Sequence, residues 1–227
     1  VLWLMETGFR EIRSLFRRLS VIIFFGNYTP IVIASTGRAG STMLTNAIAL
    51  SIVQSRYPFL PSAYKKWLAK FVQAYFDRLE DINVFNRSPV IETHDLFRND
   101  LKCTLKCVFV YGDPFDSAAS ALVQGEIRGS AWLDEHIFHL CGHGSPDQIL
   151  EKDVLNYEAQ ILAWKKSPAF FIHYSDFWTR QDELSRYLGF SLMLPPWRAR
   201  ADKQLTSGLR VNRALFDRLR LVEKCLS

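Results

Sequence analysis

A chain of 227 residues with 48% hydrophobic and 22% charged side chains has the composition of a folded globular protein, which excludes a disordered, collagenous or low-complexity one. The formal charge of +5 favours an anionic partner, but no basic run interleaved with aromatics marks a nucleic-acid surface, so nucleic acid is not an expected partner. Cys103, Cys107, Cys141 and Cys225 have neither the paired spacing of a zinc site nor that of a disulfide framework, and no metal is expected.

In chain order, Phe9, Ile12, Phe16 and Leu19 share one face of a helix over residues 9–20, with Arg10, Arg13, Arg17 and Arg18 largely off it. Such a basic amphipathic helix either packs on the domain or makes a weak membrane-surface contact. No stretch is long and apolar enough for a span, since Gly26 and Asn27 break "SVIIFF"; the expected location is cytoplasmic or peripheral to a membrane. Strand-sized apolar runs lie at 21–25, 31–35, 90–93, 106–111 and 170–174. Helical patterns fall at 41–55, 64–79, 117–124, 153–164, 180–188 and 213–222.

This alternation predicts a three-layer α/β domain with a mainly parallel central sheet, and no composition break divides residues 1–227 into more than a single domain. "HLCGHGSPDQ" and "SLMLPPWRARADKQLTSG" read as excursions, the second interrupted at Pro195 and Pro196. His136, His139 and His143 lack a carboxylate or cysteine pattern for zinc and read as loop or helix-surface histidines. Glu126, Arg128, Trp132, Asp134 and Glu135 read as either an acceptor cleft or a solvated connector.

Between the buried run "IVIAS" and the helical pattern from Ser41 stands "TGRAGST". The order strand, loop, helix directs free amides of the helix start toward the loop, where an anion gains hydrogen bonds and a favourable dipole. Gly37 and Gly40 permit a close turn, Ser41 and Thr42 offer hydroxyls, and Arg38 is the cation. A Walker motif would carry a Lys between its last Gly and the hydroxyl residue, whereas here Gly40 is followed directly by Ser41, which weakens a nucleotide triphosphate reading. A tight structural turn before an ordinary helix is the alternative.

Several segments together resemble the sulfotransferases that use 3'-phosphoadenosine 5'-phosphosulfate (PAPS). "TGRAGSTML" is similar to the 5'-phosphosulfate loop in the form found among carbohydrate-directed members, "IETHDLF" to the segment bearing the catalytic His, and "KCVFVYGDPFDSAASAL" to the strand, turn and helix that bind the 3'-phosphate. "FFIHYSDFWTRQDELSRYLGF" resembles a later segment, so the likeness runs in order over most of residues 31–197. It implies a P-loop-like sulfotransferase fold and a donor held by Gly37, Arg38, Ala39, Gly40, Ser41, Thr42 and Ser120, with Arg198, Arg200 and Lys203 as further ligands in a basic C-terminal loop. His94 is implied as the base, with Arg38 assisting catalysis.

Two positions depart from the family: Glu92 stands where a Lys is usual, and Gly112 where an Arg binds the 3'-phosphate. The implied reaction moves a sulfuryl group to a hydroxyl of a small-molecule or carbohydrate acceptor and leaves 3'-phosphoadenosine 5'-phosphate (PAP). Glu92 and Asp95 are candidates to support His94, although in a strand Asp95 projects opposite to His94. The alternatives are a nucleotide-dependent phosphotransferase and a noncatalytic nucleotide-binding or scaffold protein of the same fold.

Overall fold

Five consecutive buried residues, Ile31–Ser35, form strand β1, whose side chains supply both faces of a sheet and so need a layer of helices on each. The computed structural model describes residues 29–75, 78–82, 88–98, 104–197 and 210–226. The expected basic helix at 9–20, the strand at 21–25, Cys103, and the candidate ligands Arg198, Arg200 and Lys203 lie outside the described residues.

After β1 come α1 (Ser41–Arg56), α2 (Ser62–Phe71), β2 (Gln73–Tyr75), β3 (Val90–Thr93), β4 (Lys106–Tyr111), α3 (Pro114–Arg128), α4 (Ser130–His139), α5 (Tyr157–Trp164), β5 (Phe170–His173), α6 (Gln181–Leu188) and α7 (Arg213–Glu223). The sheet order is β2-β3-β1-β4-β5, and every pairing is parallel. Ile33 stands beside Glu92 and Val108, in the middle of the sheet. The α/β architecture with a parallel sheet follows the alternation of strand and helix patterns.

Alternation along the strands divides the core. Ile31, Ile33, Val90, Val108 and Ile172 pack with Leu44, Ile48, Ala69, Leu184 and Leu188, from α1, α2 and α6. Val32, Ala34, Ile91 and Phe109 pack on the other face with Ala118, Leu133, Ile161, Trp164 and Phe216, from α3, α4, α5 and α7. Each Val, Leu, Ile or Phe among them contributes about 1.5–3 kcal/mol when fully buried.

Three elements differ from expectation. The 64–79 pattern is not one helix: α2 ends at Phe71, and Gln73–Tyr75 pairs in parallel with β3, where the edge hydrogen bonds of Val90 were available. Residues 130–139, for which no helix is expected, form α4 against α3. The helix expected from residue 153 begins at Tyr157, because the Asp153 carboxylate accepts the Tyr157 and Glu158 amides at 2.8 and 2.9 Å and acts as its anchor from outside.

Candidate functional site

Residues at the carboxyl ends of parallel strands converge above the sheet, which is where open α/β folds form their crevices. The loop after β1, His94 after β3, Gly112 after β4 and Tyr174 after β5 all stand there.

The β1 to α1 loop turns through three left-handed residues, Gly37 (φ 77°), Arg38 (φ 50°) and Gly40 (φ 88°). Gly40 is the residue that admits no side chain, since a Cβ there would lie 2.5 Å from the Tyr174 ring. Gly40 caps α1 with its backbone alone, leaving the first-turn amides without intrahelical partners. The Gly37 amide, in contrast, donates inward to Ser35 Oγ at 3.3 Å.

A cavity of about 570 Å³ opens over this loop, lined in part by Arg38, Gly40, Ser41, Thr42, His94 and Ser120. These residues come from three segments spread over more than 80 positions. Arg38 Nε donates to Ser120 Oγ at 3.2 Å, joining the loop to α3. Ala39 is fully buried and belongs to the core beneath the loop rather than to the cavity lining.

His94 Nδ1 lies 3.3 Å from the Ser35 carbonyl and 3.1 Å from Ser35 Oγ. A carbonyl only accepts, so this contact assigns the hydrogen to Nδ1 and leaves the lone pair on Nε2. Burial holds the imidazole pKa down, at about 4, against the opposing hydrogen bond to Ser35; His139 and Arg38 lower it further. His94 is therefore neutral at neutral pH.

Neither neighbouring acid supports His94. Asp95 is buried on the other side, where its carboxylate accepts the amides of Leu79 and Leu96 at 2.9 Å. Glu92 instead accepts from Thr42 Oγ1 at 3.0 Å, so a carboxylate stands against the start of α1. Burial raises its pKa, while hydrogen bonds from Ser41, Thr42 and Thr45 oppose the shift.

The turn that lacks the expected Arg is well ordered by local capping. Asp113 Oδ1 accepts the Asp116 amide at 3.0 Å, and Pro114 occupies the first turn of α3. A Cβ on Gly112 would meet Tyr174 Cβ at 3.6 Å and Ala39 Cβ at 3.7 Å, ordinary contact distances.

Sequence reasoning offered Trp132 as a cleft residue but missed that its segment is a helix, α4, and that His136 joins it in the cavity wall. Trp132 and His136, four residues apart, stack at 4.9 Å and both line the cavity, so His136 is not a helix-surface residue. The spacing of Trp132, Leu133, His136 and Ile137 was the available signal, obscured by the charged residues among them. Arg38 and Arg128 lie over the Trp132 ring at 5.9 and 5.4 Å. Asp134 and Glu135 are exposed, His139 packs against Tyr75 at 5.5 Å, and His143 is exposed. Among the described residues no group of three His, Cys, Asp or Glu is arranged to hold a metal ion, and no helix is long and apolar enough to cross a membrane.

No protein family and no curated protein matches the chain. Among solved structures, retinol dehydratase in complex with androsterone and the inactive cofactor PAP is similar at 11% identity, over 93% of this chain and 69% of that one, with a TM-score of 0.37. A likeness that loose carries no weight for fold or function, and both rest on the chain's own geometry.

Proposed function

We propose that this chain is a sulfotransferase that binds PAPS in the cavity over the β1 to α1 loop and passes its sulfuryl group to a hydroxyl of a small-molecule or carbohydrate acceptor. The observation that carries the reading is the meeting of Arg38, His94 and Ser120 at one cavity, with Arg38 bonded to Ser120. About 570 Å³ suits a nucleotide-sized ligand.

In this reading the first-turn amides and the Ser41 and Thr42 hydroxyls hold the 5'-phosphosulfate, as a helix start holds an anion. Ser120, held beside the loop by Arg38, offers its hydroxyl to the 3'-phosphate, for which Gly112 has no side chain. Arg198, Arg200 and Lys203 add positive charge for the same donor. PAPS supplies the activated sulfuryl group on a phosphate leaving oxygen. His94 Nε2 receives the acceptor's proton, and Arg38 with the loop amides stabilises charge gathering on the leaving side.

Calorimetric titration with PAP, compared with adenosine 5'-phosphate, ADP and magnesium-ATP, tests the donor site before any acceptor is known. The expected result is saturable binding that requires the 3'-phosphate and weakens about 10-fold or more in Arg38→Ala and in Ser120→Ala. Binding indifferent to the 3'-phosphate overturns the reading. The Glu92 to Thr42 contact favours a second one, a magnesium-nucleotide phosphotransferase, because a carboxylate beside the loop hydroxyl is what such a metal requires. Tighter binding of magnesium-ATP than of PAP would establish it instead.

A further inference from the structure

His136 has no part in the reaction just described, yet its ring forms part of the cavity wall. One face stacks on Trp132, and its ring centroid lies 5.9 Å from that of His94, edge to face. Its Nε2 is shut from solvent and has no hydrogen-bond partner. That nitrogen abuts the anion loop, 3.4 Å from where a Cβ on Gly37 would stand. A buried ring nitrogen left without a partner calls for an explanation, because such a group forfeits hydrogen bonds it had in water.

We propose that His136 is an anion-binding residue of this cavity that takes up a proton when a dianionic sulfate or phosphate group settles on the loop, becoming a second cation beside Arg38. The titratable and charged groups that bear on it are His94 after β3, Arg38 in the loop, and His139 one turn along α4. None of these favours a charged imidazole. With burial the leading cause, they push its pKa down to about 3 in the empty cavity. An entering dianion reverses the balance: one negative charge at about 4 Å in a partly buried site strengthens proton binding by roughly a thousandfold. His136 takes the proton rather than His94 because its unpartnered Nε2 is the ring nitrogen that abuts the loop where the anion settles, which outweighs the support that the Ser35 carbonyl gives a charged His94, and a charge on one ring disfavours a charge on the other. His94 then stays neutral, the state a base requires.

This inference rests on the cavity as an anion site and not on sulfuryl transfer. Inorganic sulfate is the probe, because it stays mainly a dianion across a titration from about pH 3, where the empty-cavity midpoint lies, up to pH 8. Histidine Cε1–H resonances of the wild-type protein are followed against pH in saturating sodium sulfate and in sodium chloride of equal ionic strength. His136→Gln assigns the signal by its loss; should that variant not fold, through-space contact with the Trp132 ring assigns it instead.

The expected result is a His136 midpoint at least one pH unit higher in sulfate than in chloride, a tenfold or greater gain in proton affinity. Equal midpoints in the two salts, a shift confined to His94, or no sulfate response at any histidine would each overturn the proposal. A His136 response to sulfate in a protein that shows no preference for the 3'-phosphate would leave this inference standing while the sulfotransferase reading falls.

Discussion

Gly40 and Gly112 show how differently two glycines at one site are constrained. At Gly40 the backbone is left-handed and a Cβ would strike the Tyr174 ring at 2.5 Å. Gly40→Ala is therefore expected to lower the unfolding temperature, with a loss of about 1 kcal/mol or more, and to abolish PAP binding as Tyr174 is displaced; thermal unfolding and calorimetry read the two effects. At Gly112 the backbone is not left-handed and the added Cβ fits. Gly112→Arg should fold and bind PAP more tightly, by about 10-fold to 150-fold, while adenosine 5'-phosphate binding stays unchanged. Equal gains for both nucleotides would show that the new charge does not read the 3'-phosphate. The loop chemistry around these residues was legible in "TGRAGST", since Gly, Ser and Thr types at a strand-to-helix junction carry their own physical meaning. The pairing of Arg38 with Ser120 was not, because 82 residues separate them and only α3 brings them together.

Among the elements, α7 carries a titratable latch. The Tyr157 hydroxyl donates to the Gly112 carbonyl at 2.5 Å and also contacts the Glu223 carboxyl. A phenol has one hydrogen, so both contacts are satisfied when Glu223 carries a proton and donates to the tyrosine oxygen. Burial raises the Glu223 pKa from 4.5 to about 7, with Asp113 adding to the shift and Tyr157 and Arg220 opposing it. Because the folded-state value lies above the unfolded one, the protonated latch stabilises fully below about pH 4.5, and that contribution is lost as pH rises through about 7. Wild-type unfolding temperature should accordingly carry a component that falls over this window, and Glu223→Gln should remove it. An unchanged pH profile in that variant would show that Glu223 does not titrate there. The helical pattern of α7 was visible in its apolar spacing, but neither its partner nor its proton was. The same limit explains α2 and β2: Leu68, Phe71, Val72 and Tyr75 satisfy helical spacing, and the free edge of β3 decides that the last of them joins the sheet.

Across the whole molecule, one parallel sheet with buried faces sets the carboxyl ends of four strands on a common rim, so a ligand held there bridges elements from both layers. Binding to the folded state alone then stabilises the entire protein by mass action. At a hundredfold excess over its dissociation constant, PAP is expected to add about 2.7 kcal/mol of stability, seen as a raised unfolding temperature that inorganic chloride does not reproduce. A stabilisation equal for PAP and adenosine 5'-phosphate would point away from 3'-phosphate recognition.

By itself the sequence determined the α/β class, four of the five strands among the described residues, and the glycine-and-hydroxyl turn after β1, because hydrophobic runs, periodicity and turn residues act over a few neighbouring positions. Tertiary structure alone decided that β2 completes the sheet edge, that α4 brings His136 to the cavity beside Trp132, and that Glu92 turns to Thr42 rather than to His94. It also set the charge states of His94 and Glu223, since burial and long-range partners govern proton affinity, and neither is a property of a residue's neighbours in the chain.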